Sequence, residues 1–147
     1  MIERRNKFDK YIEEVRNFLR DYPGLTLIPD NPDGTEFSDE EIIQALRYAH
    51  QLWRNVPMHT PLMPIIPTPE VRMALVKAAA GYLLKFKALD YSRRMVSYGD
   101  VIEVRDYEIK ASNYMALGEQ LIREAEREFA IYKNYFITAV RGYTIGK

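Results

Sequence analysis

Apolar residues recur every three or four positions in four segments of the chain, which is the spacing of one face of an α-helix. The four segments are residues 5–22, the stretch from Ser38 to Pro57, about 69–91 and about 106–134. Proline and glycine residues interrupt the pattern between them. Because an amphipathic helix must bury its apolar face against another element, the pattern predicts an all-α fold, a four-helix bundle.

Local signals mark two of the helix starts. Ser38 and Glu41 have the spacing of a capping box. Thr68 is followed by Pro69 and Glu70. Threonine is favoured at the N-cap, proline at the first helical position and glutamate in the first turn. The third segment contains "MALVKAAAGYLLKFKAL" and is apolar on most sides, so we expect it at the centre of the bundle.

The stretch "NVPMHTPLMPIIPTPE", residues 55–70, combines five prolines with apolar side chains. Proline disrupts helix interiors and central strands, so the pattern predicts an extended loop. Its candidate partner-binding residues are Met58, Leu62, Ile65 and Ile66. Two interpretations stay open: the loop docks on a partner, or it covers the core of its own domain.

Two further segments lack the helical period. Residues 95–105, around Gly99-Asp100, predict a short β-hairpin. The chain ends in "FITAVRGYTIGK", which predicts an extended C-terminal interaction arm, 137–147, after a helical bundle domain, 1–136. Aromatic and basic residues are enriched at interfaces, and they make this end a candidate partner-binding region. The candidates are Phe136, Ile137, Val140, Arg141, Tyr143 and Ile145.

Composition narrows the function classes. The 147 residues include 21 basic and 21 acidic side chains, and this zero net charge argues against a dedicated nucleic-acid binder. The chain has no cysteine, which excludes disulfides and thiolate chemistry. The charged start lacks the apolar core of a signal peptide, and the longest mostly apolar run is too short to cross a membrane. We therefore expect a soluble protein of the cytosol.

The sequence contains no recognisable motif for catalysis or cofactor binding. "PDNPDGTEFSDE" places Asn31, Asp33 and Glu40 at three ligand positions of an EF-hand loop, but Pro29 occupies the first one. The two histidines lie outside the spacings typical of zinc and di-iron sites. The sequence therefore predicts no catalytic residue, no metal site and no cofactor, and thus not an enzyme.

Charge is distributed unevenly along this neutral chain. Residues 21–41 carry seven acidic side chains and no Lys or Arg, whereas 129–147 carry Lys and Arg but no acid. This asymmetry suggests head-to-tail contacts between copies, which close into a ring when the rotation between copies permits.

The order of "NFLRDYPGLTLI", an acidic turn, "FSDEEIIQALRYAHQLWRNVP" and "TP" resembles the head–tail connector, or adaptor, proteins of tailed bacteriophages. The stretch "LLKFKALDYSRRMVSYGDVIEVRDYEIKASNYMALGEQLIREAEREF" resembles the same family, so the likeness covers roughly residues 15–136. It implies an all-helical subunit in a ring, usually of twelve copies, in the neck of the virion beneath the portal. The partners implied are the portal protein, the next neck or tail-completion protein, and DNA that passes through without sequence readout. Such a protein is made in the host cytoplasm and involves no membrane.

Within such a ring, basic residues would face the DNA. The candidates Lys85, Lys87, Arg93 and Arg94 cluster near the end of the third predicted helix. Phosphate contacts need only positive charge, but these residues equally fit a solvated surface or the negative end of their helix.

Two alternatives of other classes stay open. One is a small soluble helical ligand-binding protein or enzyme of the bacterial cytosol, and the other is a helical regulatory module with a single partner.

Overall fold

A computed structural model describes residues 9–23, 31–57, 69–97 and 101–145, with the side chains of 94–97, 101–107 and 135–145 outside the description. These residues form four helices and no strand. The helices are α1 (Asp9–Leu19), α2 (Asp39–Asn55), α3 (Pro69–Ser97) and α4 (Val101–Ile145). The predicted all-α fold is confirmed.

Helices replace the strands expected near residues 95–105. Residues 95–97 continue α3 and residues 101–105 begin α4, while 98–100, the turn of the predicted hairpin, lie outside the described residues. Ordinary residues differ in helix propensity by less than about 0.7 kcal/mol. Adding a residue to an existing helix is easier than starting a new element, so two long helices extend across the three valines and one isoleucine here.

The C-terminal segment predicted as an extended arm is helical as far as the description reaches. The backbone of 137–145 continues α4 without a break, and 146–147 lie outside the described residues. The sequence does contain a helical spacing here, because Phe136, Val140 and Tyr143 are separated by four and three residues. Its two glycines masked that pattern.

The third helix lies at the centre of the described fold, as its apolar composition predicted. α3 packs against each of the other three helices. Its middle is buried on nearly every side, including the whole run Ala78–Gly81. The other three helices therefore pack against α3.

α3 and α4 run antiparallel and approach closely at two glycines. Lys77 Nζ lies 2.8 Å from Glu128 Oε1, whereas Tyr91, later in α3, packs on Tyr114, earlier in α4. A Cβ added to Gly81 would lie 2.7 Å from the carbonyl oxygen of Gly118, and the reverse distance is also 2.7 Å. The helix backbones are in contact here because neither residue has a side chain.

α2 packs on another side of α3, also antiparallel to it. Ser38 is its N-cap and accepts a 3.2 Å hydrogen bond from the backbone N–H of Glu41, as the capping pattern predicted. The helix buries one face along most of its length. The buried residues are Ile42, Ala45, Leu46, Ala49, Leu52 and Trp53.

Candidate interaction surfaces

The surface between α2 and α4 contains a pocket at the C-terminal end of α2 and, beside it, aromatic residues of α2 and α3. We call this surface the α2–α4 groove. Its members are Tyr48, Leu52 and Asn55 of α2, Val56 and Pro57 after α2, Tyr82 and Phe86 of α3, and Arg123, Glu126, Arg127 and Ala130 of α4. Its end near Pro57 is a pocket of about 510 Å³.

Three aromatic side chains of α2 and α3 contact one another in this groove. The ring centroid of Tyr48 lies 5.5 Å from that of Tyr82 and 5.3 Å from that of Phe86. Tyr82 and Phe86 are partly buried, but Tyr48 is exposed. Aromatic residues supply large contact area at low cost in conformational entropy, and they are common at the centres of protein interfaces.

Charged residues of α4 form the opposite wall. Arg123 and Arg127, one turn apart and both exposed, lie on either side of Glu126 in sequence. Burial raises the pKa of the Tyr82 hydroxyl, and the nearby Glu126 carboxylate raises that pKa further. Tyr82 is therefore a neutral hydrogen-bonding group beside a charged rim.

α2 and α4 meet at the pocket end of the groove, through Lys133. This residue of α4 is only 4% exposed, and its Nζ donates hydrogen bonds to the carbonyl oxygens of Trp53 and Val56, the latter at 2.9 Å. The ammonium also lies 4.5 Å from the centroid of the Trp53 ring. The last carbonyls of a helix lack intrahelical partners, so Lys133 caps α2 from a different helix.

Lys133→Met is expected to lower the free energy of unfolding by about 1–3 kcal/mol, since it leaves buried carbonyl oxygens without their donor. The methionine keeps the apolar stem, so the loss reports the capping hydrogen bonds. Chemical denaturation of this variant beside Lys10→Met, an exposed change on α1, measures it. Equal stabilities of the two variants would contradict the capping role.

The Lys133 cap also has a pH dependence. Burial lowers the pKa of this ammonium below its ordinary value of 10.5. Between the lowered folded-state pKa and 10.5, the unfolded chain binds more protons than the folded chain, so stability rises with pH. The stability of wild type relative to Lys133→Met should therefore increase as the pH approaches 10.5, as denaturation at a series of pH values can show.

A second cluster of polar residues joins the loop before α2 to the rest of the fold. Glu36, 7% exposed, accepts hydrogen bonds from the hydroxyls of Tyr91 at 2.5 Å and Tyr114 at 2.9 Å. Lys110 Nζ lies 3.7 Å from the same carboxylate. We call these four residues the Glu36 cluster, and through it the loop contacts both α3 and α4.

Asp21 holds the next part of the same loop. Its carboxylate accepts from the backbone N–H groups of Glu36 at 2.8 Å and Phe37 at 3.0 Å. Arg16 donates to it at 3.0 Å and also donates to the carbonyl of Phe37. The loop is thus fixed by buried charges with several hydrogen bonds each.

These contacts remove two of the seven acidic side chains of residues 21–41 from the surface available for contacts between copies. Asp21 and Glu36 are buried and used within the fold, which leaves four exposed acids in the described part of that range. They are Asp33, Asp39, Glu40 and Glu41. No spacing in the sequence marks Glu36 as buried, because its partners lie far away in the chain, on α3 and α4.

One of the predicted DNA-facing residues is buried. Lys87 is 4% exposed, with its Nζ 3.8 Å from Glu41 and 5.5 Å from the centroid of the Phe37 ring. A buried ammonium with these neighbours does not face DNA, so this prediction is wrong for Lys87. Lys85 is partly buried beside Gly118, Arg93 is exposed, and the side chain of Arg94 lies outside the description.

The other predicted binding residues fall outside the described side chains. Met58, Leu62, Ile65 and Ile66 belong to 58–68, of which the structure describes nothing. For the six candidates between Phe136 and Ile145, only the helical backbone is described. They stay predictions.

The turn that resembles part of an EF-hand is closed by its own hydrogen bonds. The hydroxyl of Thr35 donates to Asp33 Oδ1 at 2.6 Å, and its backbone N–H donates to the same oxygen at 3.0 Å. These bonds lower the pKa of the Asp33 carboxyl. Within the described residues, no group of three or more His, Asp or Glu side chains is placed to hold a metal ion.

None of the helices in the described ranges combines the length and apolar character needed to cross a membrane. No protein-family model, curated protein or solved structure matches this chain.

Proposed function

We propose that this chain is a head–tail connector, a virion structural protein that forms a ring between portal and tail and lines the DNA conduit. Its role is mechanical rather than catalytic. The resemblance of residues 15–136 to phage neck proteins supports the proposal, and so does the shape of the helical hairpin.

The length of α4 is the observation that carries the proposal. At 1.5 Å per residue, its 45 residues span about 67 Å, against about 43 Å for the 29 residues of α3. The backbone contact of Gly81 with Gly118 and the pairing of Lys77 with Glu128 place Pro69, the first residue of α3, level with residues 130–136. Residues 137–145 therefore extend past the N-terminal end of α3, as a projecting helix suited to bridging between molecules.

The open groove also favours a macromolecular partner. Small-ligand sites enclose most of the ligand surface, whereas the pocket of the α2–α4 groove is open to solvent on one side. Aromatic side chains close to exposed arginines are typical of protein interfaces. This favours the connector over the ligand-binding alternative.

In this proposal the bundle keeps two binding regions at a fixed separation. The C-terminal part of α4 contacts the portal, and the groove side contacts a neighbouring subunit. Arg93 and Lys85 remain candidates for contacts with DNA phosphates, which require charge but no base readout.

Mixing the chain with the portal ring encoded by the same genome tests the function. We expect electron microscopy to show a second ring stacked coaxially on the portal. Tyr143→Asp should abolish stacking, whereas Thr144→Asp, the adjacent position on α4, should not. A chain that never binds the portal at micromolar concentrations contradicts the proposal.

A further inference from the structure

Opposite charges lie near the two ends of α2, acidic residues of α2 itself at one end and arginines of α4 at the other. The first turn of α2 presents Asp39, Glu40 and Glu41, all exposed. Its other end faces Arg123 and Arg127 across the pocket of the α2–α4 groove. With Glu126 included, the pocket lining has one net positive charge.

These complementary ends cannot meet within one molecule. The 17 residues of α2 hold them about 25 Å apart, and α2 is a continuous helix between them. Complementary surfaces at opposite ends of a rigid element can contact each other only between molecules. Such a contact is heterologous, and it generates a ring or an open filament according to the rotation between copies.

We propose that copies of this chain associate head to tail, with the acidic first turn of α2 of one copy occupying the pocket of the next, against Arg123 and Arg127. The inference names the contact between neighbours in the ring proposed above and rests on that function for its biological role. Its physical basis is independent of the portal.

Glu40 is the central acid of this contact. Asp39 already accepts from Arg16 at 2.5 Å, and Glu41 lies 3.8 Å from Lys87. Both are held against their own molecule, whereas Glu40 is exposed between them.

The pocket suits a glutamate in two ways. An arginine binds a carboxylate through two parallel hydrogen bonds, and two arginines one turn apart offer two such donors. The apolar wall of Leu52, Val56 and Ala130 can pack the methylene groups of the incoming side chain.

Sedimentation of the full chain at low and high salt tests the contact. At about 20 mM salt we expect reversible association, which weakens by about 300 mM because screening reduces charge attraction. Glu40→Lys, and separately Arg123→Glu with Arg127→Glu, should each weaken self-association about tenfold or more. Arg47→Glu, an exposed reversal on α2 outside the pocket lining, should leave it unchanged.

A mixture of the two defective proteins gives the sharpest result. Glu40→Lys keeps an intact pocket, and the double arginine variant keeps an intact acidic turn, so the mixture should recover a 1:1 complex. A wild-type monomer at about 100 µM in low salt, or variants that associate like wild type, would overturn the inference. The milder Glu40→Gln, with helix content checked by circular dichroism, separates lost association from lost folding.

The outcomes for contact and function are separable. If the chain stacks on the portal but the charge variants self-associate like wild type, the inference is wrong and the proposed connector function stands. If self-association depends on these charges but the chain does not bind the portal, the inference stands and the proposed connector function is wrong.

Discussion

Replacement of Glu36 by leucine is expected to lower the free energy of unfolding by about 3–5 kcal/mol, the cost typical of removing one partner from a buried charged group. The change leaves the hydroxyls of Tyr91 and Tyr114 and the ammonium of Lys110 without their shared acceptor. Tyr91 is fully buried, so water does not replace the acceptor there without opening the fold. The leucine is close in volume to glutamate, which limits any cavity contribution.

Urea denaturation of three variants separates charge from shape. Glu36→Gln keeps an acceptor oxygen and should lose less than Glu36→Leu. Glu40→Leu, an exposed glutamate four residues away, should change stability by no more than about 0.5 kcal/mol. A double-mutant cycle with Tyr91→Phe should give a coupling of about 1 kcal/mol or more, and additive losses would show that the cluster does not act as a unit.

Alanine at Gly81 or Gly118 is expected to destabilise the protein by about 2–3 kcal/mol, because overpacking forces backbones apart. The added methyl at Gly81 would also lie 2.8 Å from Cγ1 of Ile122, and at Gly118 it would meet Lys85 at the same distance. Glycine to alanine inside a helix normally gains up to about 1 kcal/mol in propensity. Because α3 and α4 approach so closely at these two positions, we expect alanine to destabilise the protein here instead of stabilising it.

The matched control is Ala116→Gly, at an exposed position on α4. Glycine there should lower the free energy of unfolding by about 0.5–1 kcal/mol. The variant with alanine at both glycines should lose less than the sum of the single losses, since the first methyl already separates the helices. Thermal unfolding measures all four proteins. A Cβ on residue 81 would lie 2.7 Å from the carbonyl oxygen of Gly118. If Gly81→Ala is instead more stable than wild type, the two helices are further apart than this distance requires.

The elements with strong local signals were predictable from the sequence. Ser38 caps α2, and the apolar composition of 69–91 indicated a central helix, because period and caps are encoded within a few residues. The β-branched residues near 101–104 and the glycine at 142 predicted non-helical elements, whereas the described backbone at these positions is helical. There the long helices determine the outcome, and local preference contributes only tenths of a kcal/mol.

The α2–α4 groove was not predictable in the same way. Tyr48, Tyr82 and Arg123 lie on three helices, and each belongs to an ordinary helical pattern. Only the packing of those helices brings them together. Lys87 and Glu36 illustrate the converse, since charged residues usually lie at the surface and only tertiary partners explain these two exceptions.

The Lys133 cap has a consequence for the order in which the protein matures on the ribosome. The carbonyl groups at the end of α2 are synthesised about eighty residues before the lysine that binds them. Until that lysine emerges, a nascent chain carries α2 with an open end and a half-built groove. The end of α2 is therefore completed by a helix that is translated after it, so a chain that stops before Lys133 does not present the finished surface.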